Sequence, residues 1–197
     1  MLLDRSFLAL TWVATAAQAA PTADDGASSI APPNVPPGCE RIKDIQLAIQ
    51  FSNNLWAGSW DMIGATLETS SGTAFLPNAA APERGSRHVA AVDMQRDFDA
   101  DEIDVTSIKQ ITLSDAPALS DWAYKLGLYH DQWTLDGVQI MANCSGGGGT
   151  KAFYDKYLHL DHDNVYQYSE LAEGDTRGVR ETVATFNVSL DGWRFSC

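Results

Sequence analysis

The sequence predicts an all-β chain with at most one short helix, built as a sandwich or a barrel. Three observations predict it. Short runs dominated by β-branched and aromatic residues recur from residue 42 onward. Acidic or Gly/Pro/Ser breaks separate them, and helical periodicity is sustained nowhere. Many short strands at such spacing are the pattern of packed antiparallel sheets.

The elements follow in order. In "IKDIQLAIQF", Ile45, Leu47, Ile49 and Phe51 recur at a period of two, so one face of this strand is buried. A loop of small and polar residues leads to "MIGATLE", where Ile63, Ala65 and Leu67 share a face and Gly64 marks a bend or bulge. "TSSGTAFLPNAAAPERGS" has turn chemistry throughout and is expected to be a long mobile connection. "HVAAVDM", "EIDVTS", "IKQITLSD", "AYKLGLYH" and "WTLDGVQIMA" are expected strands. Ile103 and Val105 share a parity that Ile108 breaks, which places a change of direction near Ser107. Asp136-Gly137 reads as a turn or bulge within its strand. The single expected helix spans about Lys151 to Leu158, with Phe153 and Tyr157 four apart. A closing hairpin is expected to turn at Asp191-Gly192.

Compartment is read from the first residues. Asp4 and Arg5 precede the apolar run "FLALTWVATAA" and an A-x-A-like site at Ala17-Gln18-Ala19, the layout of a signal peptide over 1–19, so the protein is expected to be secreted and extracellular. No run reaches the roughly 18 uncharged apolar residues that a membrane-spanning helix needs. Residues 20 to 38, rich in Pro, Ala and Ser, read as a linker or pro-segment, and residues 39 to 197 as one domain. The net charge of −13 repels phosphate backbones and argues against nucleic-acid binding.

Three cysteines, Cys39, Cys144 and Cys197, remain after the signal, and an oxidising compartment favours pairing. Cys39 opens one strand pattern and Cys144 closes another, so these two are the expected bridge, with Cys39–Cys197 as the open alternative. A free Cys197 offers a link to a second chain. Asn143-Cys144-Ser145 and Asn187-Val188-Ser189 are N-glycosylation acceptors by pattern.

The order of the pieces resembles the PLAT/LH2 β-sandwich, an accessory domain of lipases and lipoxygenases. The likeness covers roughly residues 42 to 142 and rests on "AGSWDMIGATLE", "IDVTSIKQITLSD" and above all "WTLDGVQIM", similar to that family's aromatic-x-Leu-Asp-x-Val-x-Val strand. The resemblance implies an antiparallel two-sheet β-sandwich. Cys39 before "IQLAIQFSNNLWAGSWD", with "WTLDGVQIMANC" later, also resembles the non-catalytic region of secreted fungal proteins related to heat-labile enterotoxin A chains. The Arg, Ser and Glu-x-Glu set with which that toxin family transfers ADP-ribose has no arranged counterpart, which implies the accessory module without the enzyme.

Four constellations carry possible chemistry. Asp97, Asp99 and Asp101 have the D-x-D-x-D spacing of a calcium loop, though Glu102 and Ile108 stand where an EF-hand needs Gly and a bidentate Glu. PLAT-like domains often bind calcium in edge loops, so calcium is the one cofactor the resemblance suggests, set against a plainer solvated acidic loop. His159, Asp161 and Asp163 share a side if extended, yet a polar loop is the plainer reading. "SGGGGTK" lacks the Gly before Lys that a phosphate loop requires. Trp56 and Trp60, with Asp61 after them, form either an aromatic tip that enters a lipid or sugar surface or part of the core.

No nucleophile elbow, H-E-x-x-H or Cys-His signature is present. His130, Asp131 and Asp136 offer an acid/base set, but the alternation of "HDQWTLDGVQIMANC" makes it a core strand closed by Cys144. The leading expectation is therefore a non-catalytic recognition module, a toxin or effector accessory domain. Loops 53 to 61 and 72 to 88 would meet a host or cell-surface lipid, glycan or protein. A small secreted hydrolase with an unrecognised carboxylate site is the alternative, and it requires two carboxylates in one cleft.

Overall fold

A computed structural model describes residues 35–55, 57–116, 132–146, 148–160, 165–167 and 180–196. Among these described residues eleven strands form two antiparallel sheets. The first holds β1 (Arg41–Phe51), β4 (Arg87–Ala91), β7 (Gln132–Cys144), β8 (Lys151–Tyr157) and β11 (Trp193–Ser196) in the order β11-β8-β7-β1-β4. Short β5 (Ile103–Asp104) adds to β1, and β9 (Val165–Gln167) adds to β7. The second sheet runs β10-β6-β2-β3, from β10 (Glu181–Asn187), β6 (Ile108–Ala116), β2 (Met62–Thr69) and β3 (Thr73–Ala80).

The alternation read from sequence sets the core. Ile45, Leu47, Ile49 and Phe51 of β1 are fully buried, as are Trp133, Leu135, Val138 and Ile140 of β7. Opposite them lie Ile63, Ala65 and Leu67 of β2 and Ile111 and Leu113 of β6. The pleat delivers these side chains to one face each, and closing the two faces together removes them from water. The β1/β7 register slips between Gln50↔Gly137 and Phe51↔Leu135, so Asp136 is the bulged residue the Asp-Gly pair suggested. The expected change of direction near Ser107 is a short 3-10 turn, Val105–Ser107.

Cys39 and Cys144 are joined, 105 residues apart in sequence, and Ile42 pairs with Cys144 beside them. Val35, which composition assigned to the linker, packs into the core at 8% exposure.

Three expectations are corrected. Residues 151 to 157 form β8 rather than a helix, because Ala152 and Tyr154 face inward at a period of two. The five-residue helix that does form is α1 (Met94–Phe98), started by Asp93, whose side chain accepts from the Arg96 N–H at 3.1 Å. The stretch expected as a long loop contains edge strand β3, and its Pro77 is tolerated because an edge strand need not donate on its open side.

The third concerns the C-terminal hairpin. Strand β10 pairs with β6, and β11 pairs with β8 in the other sheet, so Leu190–Gly192 is a 3-10 crossover between sheets. Gly192 serves close packing: a Cβ there would lie 2.3 Å from Tyr154 Cε2.

The registers sort the connections into two ends. One end, here the rim, gathers loop 52–61, loop 81–86, the start of β7 and the short strand β9 that runs antiparallel beside it. The opposite end carries the disulfide, α1 and the β2–β3 turn.

Candidate functional site

The rim is built from two loops fastened to each other by backbone hydrogen bonds. Ser52 N–H donates to Thr134 O at 3.0 Å, and Thr134 N–H returns to Ala57 O at 3.4 Å. Between them Ala57 N–H closes a tight turn on Asn54 O at 3.2 Å, and Leu55 stands at its tip. Ser59 N–H reaches Pro82 O at 2.9 Å, and Ala81 N–H reaches Asp61 O at 3.0 Å. Gly58 permits this approach, since a Cβ there would sit 2.9 Å from Pro82 O.

On this held backbone Leu55 is 74% exposed, Trp60 54% and Val165 54%. Water-facing apolar side chains of this size, gathered at one end, mark a surface for an apolar partner. The sequence pointed to Trp60, which is at the rim. Leu55 was missed, although a single leucine inside "SNNLW" is the signal that would have found it. Trp56 lies outside the described residues.

Asp61 does not share this exposure. It is fully buried, with its N–H donating to Ser59 Oγ at 3.0 Å, so it shapes the loop rather than meeting a ligand at the surface. Beneath the rim, Trp133 stacks on Tyr166 with centroids 4.9 Å apart, and burial pushes the Tyr166 phenol above its usual pKa.

Beside the rim lies an open cleft of about 430 Å³ lined by Gln50, Asn53, Asn54, Arg84 and Asp136 among others. Its wall is preorganised. Gln50 Nε2 donates to Gly85 O at 3.1 Å and Ser86 O at 3.2 Å, and Gly85 N–H donates to Ser52 O at 2.8 Å. Gly85 takes φ +70°, a left-handed conformation that suits glycine and lets the turn present Arg84.

The carboxylates proposed for calcium are not brought together. Asp97 pairs with Arg96 at 2.7 Å, Asp101 accepts from Gln95 Nε2 at 2.6 Å, and Asp99 forms the left-handed cap of α1. Alternate residues share a side only on an extended chain, and here the chain is helical across the first of them. Among the described residues no group of three or more His, Cys, Asp or Glu side chains is placed to hold a metal ion.

His159 is exposed, while Asp161, Asp163, His130, Asp131 and Cys197 lie outside the described residues. Asn187 ends β10 with an exposed side chain, whereas Asn143 is partly buried and donates to Asp44 Oδ2 at 3.0 Å.

Solved structures of similar shape include a LOX in complex with arachidonate, at 18% identity and TM-score 0.37, covering 64% of this chain and 14% of that one. Alpha-toxin of Clostridium perfringens is 8% identical at TM-score 0.44, and alpha toxin of Clostridium absonum 14% at 0.41; each match covers 77% of this chain and 32% of the toxin. The chain spans less than a third of each. No protein-family model and no curated protein sequence matches it. Its function is therefore argued from the rim itself. Among the described residues no helix is long and apolar enough to cross a membrane.

Proposed function

We propose that the chain is a secreted, non-catalytic recognition module of PLAT-like type that docks on a lipid surface through the rim. The enterotoxin-like resemblance of its sequence supports reading it as the accessory part of a toxin or effector. The observation that carries the reading is the exposure of Leu55, Trp60 and Val165 on backbone already fixed by hydrogen bonds. Fixed loops lose little further entropy on docking, so more of the burial energy appears as affinity.

The magnitude is modest. Taking roughly 1 to 2 kcal/mol for each half-exposed side chain removed from water gives about 3 to 6 kcal/mol in all. That corresponds to reversible binding in the millimolar to tens-of-micromolar range. A tryptophan adds the amphipathic ring that favours a water–lipid boundary. Glycan and protein surfaces are the competing partners, and three exposed aliphatic or aromatic side chains suit a lipid better than a hydroxyl-rich ligand. The carboxylate hydrolase that is the alternative needs two carboxylates in one cleft, whereas among the described residues the rim cleft holds one, Asp136, and clefts of about 670 and 260 Å³ hold none.

Co-sedimentation with phosphatidylcholine vesicles, with calcium and with chelator, tests the reading. The native protein pellets with vesicles, and the pair Leu55→Ser and Trp60→Ser stays in the supernatant with an unchanged thermal midpoint. Equal pelleting of both proteins would remove the rim as the docking surface.

A further inference from the structure

We infer that the cleft beside the rim takes the zwitterionic headgroup of a phospholipid, with Arg84 holding its phosphate. The inference rests on the lipid-surface reading above and names the class of lipid.

Most arginines of the described residues are engaged away from the rim cleft. Arg87 donates to Gln139 Oε1 at 2.7 Å, Arg194 pairs with Asp155, and Arg180 stands 4.2 Å over the Phe75 ring. Arg41, Arg96 and Lys156 pair with Glu102, Asp97 and Asp191. Among the described arginines Arg84 is different: it lines the rim cleft, its side chain is exposed, and no carboxylate of the described residues pairs with it. The turn that carries it is pinned on both sides, by Gly85 N–H to Ser52 O at 2.8 Å and by Phe51 N–H to Ser86 O at 2.9 Å. A guanidinium presented on a fixed turn matches two oxygens of a phosphate in bidentate fashion. Asn53 and Asn54 line the same cleft, and their amides are neutral groups able to donate.

The sign of the surroundings selects the lipid. Glu83 adjoins Arg84 in sequence, Asp136 lines the cleft, and the chain carries a net charge of −13. A dianionic free phosphate or an anionic membrane meets this field unfavourably. A headgroup with a phosphate and a quaternary or primary ammonium offers its anion to Arg84 while bringing no net charge into this acidic field.

The test uses the whole protein and three vesicle compositions: phosphatidylcholine, phosphatidylcholine enriched in phosphatidylserine, and digalactosyldiacylglycerol, which has no phosphate. Native protein is expected to bind phosphatidylcholine about tenfold more tightly than the galactolipid, the worth of one charge-assisted contact. Arg84→Gln should lose that preference and Arg84→Lys should keep part of it, with galactolipid binding unchanged in both. Phosphatidylserine should weaken binding, and millimolar inorganic phosphate should not displace the protein.

Equal binding of phosphatidylcholine and galactolipid, or an Arg84→Gln variant that keeps the preference, overturns the headgroup inference and leaves the lipid-surface reading standing. Tighter binding to phosphatidylserine overturns the zwitterionic selection. Displacement by inorganic phosphate assigns the cleft to free phosphate instead. Absence of binding to all three compositions overturns both proposals.

Discussion

The indole N–H of Trp133 donates to Asp115 Oδ2 at 2.8 Å, and both side chains are shielded from solvent. Trp133 belongs to β7 in one sheet and Asp115 to β6 in the other, so this bond ties the two layers directly beneath the rim. Trp133→Phe keeps most of the ring volume but withdraws a donor from a buried carboxylate. A loss of about 1 to 3 kcal/mol is expected, read as a lower denaturant midpoint at unchanged slope. Asp115→Asn retains an acceptor oxygen and should cost less than Asp115→Ala.

The bridge between Cys39 and Cys144 closes a loop of 105 residues. In the chain-entropy model such a loop contributes up to about 4.7 kcal/mol by restricting the unfolded chain. The double variant Cys39→Ala, Cys144→Ala should lose a large part of that in equilibrium unfolding. Vesicle binding at the opposite end should persist in whatever fraction remains folded.

Gly137 follows the bulge at Asp136, and a Cβ there would stand 2.2 Å from Leu158 O and 2.5 Å from Leu158 C. Backbone cannot swing aside as a flexible side chain can, so Gly137→Ala should cost about 1 to 3 kcal/mol or more. Gly148 is the contrast: its φ is +57° with nothing within 4 Å of the added carbon. Gly148→Ala should cost only the roughly 1 kcal/mol of left-handed backbone. Thermal unfolding of the two variants side by side checks the order.

Secretion of the full chain from a eukaryotic host should add a glycan at Asn187 and leave Asn143 bare. Asn187 is exposed at a strand end, while Asn143 lies mid-sheet between Lys43 and Lys151 with its amide donated to Asp44. Asn187→Gln should remove the added mass and Asn143→Gln should not. A glycopeptide containing Asn143 would reverse the assignment.

The parts of the fold legible in sequence are those whose burial is periodic over many residues. Strands β1, β2, β6 and β7 carry large apolar residues at a period of two over much of their length, shifted in β7 by the bulge at Asp136, so each announces its inner face locally. Strand β3 does not: its inner positions include Ala74 and Ala79, and Pro77 sits among its outer ones, as only an edge strand allows. Strand β8 owes its form to pairing with β7 and β11, a non-local cause that the four-residue spacing of Phe153 and Tyr157 concealed. Gly192 looked like a turn residue but is small because Tyr154 needs the room.

At the site, Trp60 was legible as an amphipathic ring in a polar loop, and Asp61 was assigned with it by adjacency. Adjacent residues point to opposite sides, and Asp61 turned inward. Arg84 carried no local signal at all. Its significance comes from loop 81–86 folding against loop 52–61, and from the other described arginines being engaged elsewhere.

The central claim is that the rim enters lipid, and Trp60 is placed to report it. Tryptophan emission should be recorded with phosphatidylcholine vesicles whose acyl chains carry bromine near the headgroup, and with plain vesicles, for the native protein and Trp60→Phe. Bromine should quench the native emission, and Trp60→Phe should lose a clear share of that quenching while still binding. Identical emission from native protein on brominated and plain vesicles, under conditions where it pellets with both, would contradict insertion of the rim.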